Sequence, residues 1–306
     1  MDDLETTILI SSIFAILCIM INLFILILIY RTKPRLHTVN HLLISNTSFI
    51  SIFYSIMFLI DYIYMIFIIS DTSHLTCRFR SYFTYVSIGE LMHSIMIQAI
   101  SRFFFVILST KYRWLTTIQT HYILISTQWL IVLFLTLPIL IFDTARFYPR
   151  SFCWIIPEYN NIDLYLFVIN FILPFLTVIF VYFYILNRVH KIKRNQIIMS
   201  NSIQHQKRDL IILRNTMILI SIGLMASIPN IILSIHYYDI IYSIHLVCLT
   251  FSVTLVALCN VLLDREIRQT IQTYFQRQTI QVTRIQIINV KEREMQIFSK
   301  RTNNHS

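Results

Sequence analysis

Residues 8–30 form an apolar run without one charged side chain. Wound as a helix at about 1.5 Å per residue, such a run crosses the roughly 30 Å hydrocarbon core of a bilayer. Six more runs follow, over residues 42–69, 77–108, 122–142, 164–187, 210–235 and 240–263, the last two parted only by residues 236–239. Apolar residues fill each run instead of alternating, which argues against a membrane β-barrel of about ten-residue alternating strands. Only 13% of the 306 residues are charged, too few to cover a water-facing surface. A soluble enzyme, a disordered tail and a collagen-like fibre are thereby excluded. The expected fold is an all-α membrane protein, a seven-transmembrane helix bundle. No internal repeat is visible, so an inverted-repeat transporter gains no support.

Basic residues set the orientation. The segments after the first, third and fifth runs, with the one after the seventh, hold nineteen Lys and Arg. The opposite face has only Arg78, Arg80, Arg146 and Arg150. The excess belongs in the cytoplasm. Asp2, Asp3 and Glu5 precede the first run and Arg31, Lys33 and Arg35 follow it. A cleaved signal peptide would show the reverse order, so the first run is expected to be a retained anchor with residues 1–7 extracellular. The net charge of +10 then reflects orientation, and no nucleic-acid partner is expected. After the membrane domain (8–263), residues 264–275 place Ile267, Ile271, Tyr274 and Phe275 on one side, and Arg265, Arg268, Gln269 and Gln272 elsewhere. That pattern predicts a short amphipathic eighth helix on the inner leaflet, followed by a mobile cytoplasmic tail over 276–306.

The five cysteines show neither CxxC nor a metal-ligand spacing with histidine, so no metal or cofactor is expected. Cys18, Cys248 and Cys259 fall inside apolar runs as packing residues. Cys77 and Cys153 fall at run edges on the outer side, an oxidising compartment, where they are either bridged or free thiols. Loop entropy would make a bridge worth at most ~4–5 kcal/mol.

Seven spans with the N-terminus outside, a cysteine heading the third and another in the second outer loop, resemble the rhodopsin-like G-protein-coupled receptors. Internal intervals carry the resemblance further. Twenty-five residues beyond Cys77 stands Arg102, at the position of the family's Asp/Glu-Arg-Tyr arginine. Trp129 is similar to its single span-four tryptophan, and Asn22 to its span-one asparagine. Pro174 is followed eight residues later by Tyr182, as in the family's fifth span. Pro229 would kink the sixth, and Asp209 stands where many members carry an acidic partner for the arginine. The chain departs from the pattern at several points. The sodium-holding aspartate becomes Ile50, and the Asp/Glu-Arg-Tyr triplet reads Ser101-Arg102-Phe103. Cys-Trp-x-Pro reads Ala226-Ser227-Ile228-Pro229, and Asn-Pro-x-x-Tyr is replaced by Val256-Ala257-Leu258-Cys259-Asn260. The resemblance implies a divergent member, of the invertebrate peptide-receptor type.

On that reading Arg102 and Asp209 hold spans three and six together, and their separation opens a cytoplasmic cleft. Pro229 gives the pivot, because proline removes a backbone hydrogen bond, and Tyr182 stabilises the open form. Candidate ligand contacts in the outer half are Asp61, Tyr62, Thr84, Tyr85, Ile88, His236 and Tyr237, with Asp61 placed to meet a ligand cation. Glu90 and His93, three apart in span three, are expected to pair with each other or to reach spans four and five, for example Asn170. Thr84 occupies the position where amine receptors place an aspartate, which disfavours an amine ligand. No lysine occurs between Lys207 and Lys291, which removes a retinal Schiff base from span seven.

The expected function is therefore that of a multi-pass plasma-membrane receptor, not an enzyme. It passes the signal of an extracellular ligand, best matched by a short peptide, to a heterotrimeric G protein. A seven-helix transporter or channel is the alternative; it wants several ionisable groups at the midplane, where mainly Glu90 and His93 stand. A receptor-derived protein that binds without signalling is another. Epitope tags at the two ends check the topology: in unpermeabilised cells, antibody should stain the N-terminal tag and leave the C-terminal tag dark.

Overall fold

The computed structural model describes residues 2–31, 38–67, 74–108, 111–142, 145–147, 153–155, 160–195, 217–218, 221–223, 239–263, 267–269 and 271–272. The chain divides into Met1–Leu263 and Asp264–Ser306. In the latter, residues 267–269 and 271–272 are helical.

Helix α1 (Asp2–Arg31) opens on acidic residues and closes on a basic one. Both suit a helix whose N-terminus is partially positive and whose C-terminus is partially negative. It is followed by α2 (Val39–Phe67) and α3 (His74–Phe103). A π-helical turn over Phe104–Leu108 and a 3₁₀ turn over Arg113–Thr116 lead to α4 (Ile118–Thr136) and the one-turn α5 (Pro138–Ile141). The fifth span comprises α6 (Asn160–Phe167), a π-helical turn over Val168–Ile172 and α7 (Leu173–Asn195). The seventh is α8 (Asp239–Leu263). Six stretches among the described residues are long and apolar enough to cross a membrane. They correspond to the first five apolar runs and the seventh. Of the sixth run, residues 217–218 and 221–223 are helical, and the rest lies outside the described residues.

Two prolines inside the described spans leave a mark on the backbone. Pro138 cannot donate to the carbonyl of Phe134, which instead accepts from the Leu137 N–H at 3.2 Å, and α4 tightens and ends there. Pro174 likewise cannot donate to the carbonyl of Asn170, and the backbone widens into the π-helical turn around that residue. Between α5 and α6 the chain forms a small hairpin that the apolar runs gave no sign of. Strands β1 (Ala145–Phe147) and β2 (Cys153–Ile155) pair antiparallel, with Phe147 opposite Cys153.

Burial is inverted relative to a water-soluble protein. Ile123 and Phe180 are each 68% exposed, while Asn22 and Glu90 are fully buried. Polar groups point at other helices, and apolar ones face outward to lipid. Helix α3 holds the middle of the bundle, packing on α2, α4 and α7, while α1 lies against α2 and α8. One apolar cluster joins α1, α2, α3 and α8 through Cys18, Tyr54, Phe58, Leu91, Leu246 and Val253. A second joins α3 to α7 through Ile95, Ala99, Val178 and Ile185, and Met217 of the sixth span packs against it.

Gly89 makes the closest approach in this packing. A Cβ there would lie 2.7 Å from Asn170 Oδ1 and 3.0 Å from Val132 Cγ1. Asn170 is itself buried, so its side chain has little room to retreat. Gly89→Ala should cost about 1–3 kcal/mol, read as a lower thermal midpoint of the purified protein in detergent.

Candidate functional site

At the outer end, Cys77 of α3 and Cys153 of β2 are joined by a disulfide, with Cα atoms 5.3 Å apart. One turn further along α3, Arg80 meets Asp61 of α2. Its Nη2 and Nε donate to Asp61 Oδ1 at 2.6 and 2.9 Å, and Thr84 Oγ1 donates to Oδ2 at 3.0 Å. The guanidinium lies over the Tyr64 ring, 3.9 Å from its centroid. Asp61 is 2% exposed and Arg80 6%. Such a pair holds in low dielectric only when further hydrogen bonds share its charge, as Thr84 does here. The cation beside Asp61 is therefore the chain's own, not one awaited from a ligand. Sequence reading had counted Arg80 only as a loop charge. The spacings 80/84 on α3 and 61/64 on α2, each placing two residues on one helix face, were the available signal.

The other candidate ligand contacts that the structure describes are buried as well. Tyr62 sits edge-on to Phe58 in the apolar cluster that joins α1, α2, α3 and α8. Tyr85 Oη donates to Asp163 Oδ1 of α6 at 3.2 Å, a carboxylate the sequence had not singled out. Ile88 lines a cavity of about 20 Å³, room for a single water, together with Tyr54, Met92, Phe171, Gly223 and Ser252. His236 and Tyr237 lie outside the described residues.

Midway down, a polar seam crosses three helices. Trp129 Nε1 of α4 donates to Asn46 Oδ1 of α2 at 3.2 Å, and Asn46 Nδ2 donates to Gln128 Oε1 at 3.4 Å. Gln128 Nε2 in turn donates to Glu90 Oε2 of α3 at 2.7 Å. Thr47, Ser94 and Gln98 continue the seam between α2 and α3. Glu90 therefore turns to Gln128, and the Nδ1 of His93 to the Gly89 carbonyl at 2.9 Å; they do not form a salt bridge with each other. Asn170 makes no hydrogen bond to either, although its Oδ1 is buried against Gly89. Asn22 faces inward, with Nδ2 on the Cys18 carbonyl at 2.8 Å.

At the cytoplasmic end, the half-buried Arg102 donates from Nη2 to Asn40 Oδ1 of α2. Asp209 and Pro229 lie outside the described residues. Beside the arginine, Ser101 Oγ is 2.9 Å from His121 Nε2 of α4, and His121 Nδ1 is 2.8 Å from the Thr117 carbonyl. The Phe105 ring stacks on the same imidazole at 5.8 Å. Where the family carries an acid next to its arginine, this chain thus has a hydroxyl turned toward span four. Tyr182 packs, half-buried, against the α3–α7 cluster that also takes Met217. Pro174 sits at the π-helical turn described above.

With this arrangement in view, the sequence matches the 7 transmembrane receptor (rhodopsin family) across residues 21–264. That is most of the chain, and the protein belongs to this receptor family, as a multi-pass protein of the plasma membrane. No curated protein matches it.

The outer ion pair yields a double-variant test. Removing one member of a buried pair strands the other charge, at a cost of about 3–5 kcal/mol. Arg80→Met should lower the thermal midpoint and the yield of folded receptor. Asp61→Asn combined with Arg80→Met should recover most of the loss; simple additivity of the two single effects would speak against their coupling.

Proposed function

We propose that this receptor passes the signal of an extracellular ligand, best matched by a short peptide, to a heterotrimeric G protein by opening the sixth span around Arg102. The observation that carries the reading is the state of Arg102. A guanidinium at the cytoplasmic end of a membrane helix is costly unless paired or hydrated, and here it is drawn into the bundle onto Asn40. In the closed form Asn40 and Asp209 hold the arginine; in the open form it is released into the cleft that Pro229 lets span six uncover, and Tyr182 closes on it.

The contacts known for span six suit such a movement. Met217 packs on an apolar cluster, and Gly223 sits close to Met92. Apolar contacts without hydrogen bonds can part and re-form at a cost of a few kcal/mol, the range in which a ligand shifts populations. The ligand pocket is assigned to Tyr62, Thr84, Tyr85, Ile88, His236 and Tyr237, because Ile88 borders the interhelical cavity that Gly223 also lines. Asp61 is left out of it, since its carboxylate already holds Arg80 and Thr84.

Arg102→Ala should reduce peptide-stimulated nucleotide exchange in membranes at least about tenfold, while surface display is kept. Asn40→Ala, which loosens only the closed form, should raise basal exchange a few-fold, in line with a lost hydrogen bond of ~0.5–1.5 kcal/mol. Normal signalling by the arginine variant would overturn the mechanism. Absence of exchange with any peptide or G protein would favour a receptor-derived binder.

A further inference from the structure

We propose that Asp163, oriented by Tyr85, receives the basic group of the ligand, a guanidinium or ammonium. This rests on the reading that the chain binds an extracellular ligand, and it names that ligand's chemistry. Among the carboxylates in the outer half of the described bundle, Asp61 and Asp163 stand on α2 and α6, and their surroundings differ. Asp61 is closed off, buried beneath Arg80 and Thr84. Asp163 is half-buried in the first turn of α6, and no Lys, Arg or His among the described residues lies within 4 Å of it. Its Oδ1 takes the hydroxyl of Tyr85, and its Oδ2 has no partner among the described residues.

A carboxylate partly withdrawn from water with no counter-ion among the described residues is a standing cost, which an incoming cation would offset. The tyrosine that holds it is well fixed, since Tyr85 is buried in a cluster with Tyr82, Val86, Val132, Ile139 and Leu166. That cluster ties α3 to α4, α5 and α6, so the carboxylate stands in a fixed orientation before any ligand arrives. Preorganisation of this kind lowers the ordering cost of binding. The disulfide at Cys77 also anchors the second outer loop to the same end of α3.

The test uses the full chain in nanodiscs of zwitterionic lipid, with empty discs as background. The probes are two randomised libraries of acetylated heptapeptide amides, identical except that one fixed position is arginine in one and citrulline in the other. Citrulline keeps the shape and loses the charge. The wild-type protein should retain the arginine library about tenfold more than the citrulline library. Asp163→Asn should bring the two to parity, and Asp163→Glu should keep most of the excess. Tyr85→Phe leaves the charge but frees its orientation, and should cut the excess about threefold; it carries the test if the asparagine variant fails to fold. Equal retention by the wild type, or an arginine excess that survives Asp163→Asn or is untouched by Tyr85→Phe, overturns the proposal. Binding is read without a G protein, so a chain that shows the excess but drives no nucleotide exchange would sink the signalling reading and leave this one standing.

Discussion

Hydrocarbon offers no hydrogen bonds, and that constraint shapes the polar contacts inside the described spans. Several hydroxyls inside the spans bond to their own helix: Thr136 to the Val132 carbonyl at 2.8 Å, Thr250 to Leu246 at 3.0 Å, Thr254 to Thr250 at 2.8 Å. Several longer side chains reach another helix, and in doing so they tie the bundle together. Trp129, Asn46, Gln128 and Glu90 form one such chain across α4, α2 and α3. In lipid these bonds do what an apolar core does in water, because apolar side chains gain nothing by leaving lipid for protein.

The same constraint gives α3 its central role. Along one helix it carries a disulfide and an ion pair at its outer end, a buried glutamate midway and an arginine at its cytoplasmic end. Their partners lie on three neighbours: β2, α2, α4 and again α2. The helix is thus bonded at every level of the membrane, whereas α1, apolar almost throughout, shows its wide faces to lipid. The family's signalling triplet keeps only its arginine, and the structure shows where the residue in place of the acid turns: Ser101 has gone over to His121.

The sequence made the spans legible because a run such as 8–30 has only one cheap place to be. Helix ends extended past the runs, as at Asp2 and Asn160, because polar flanks continue a helix that composition alone would stop. The β1–β2 hairpin was invisible: three-residue strands have no periodicity to detect. Landmark positions were legible and their partners were not. Trp129 could be picked out by interval, but its bond to Asn46 depends on how two helices are rotated about their axes. Asp61 looked like an open carboxylate for the same reason, since no spacing within α2 discloses that Arg80 of α3 lies across from it. Asn46 heads an Asn-Thr-Ser triplet that would accept a glycan in an outer loop; half-buried within α2 and bonded to Trp129 and Gln128, it is not placed for that role.

The pinning of α3 at its outer end has a mechanical consequence. A covalent bond at Cys77 and an ion pair at Arg80 fix the first two turns, so a rigid tilt of this helix would have its fulcrum at that end. Twenty-five residues separate Cys77 from Arg102, about 37 Å of helix at 1.5 Å per residue. A tilt of about 3° at the outer fulcrum displaces the arginine by about 2 Å, enough to part it from Asn40. A small angle at one face of the membrane is by this leverage a shift of ångströms at the other.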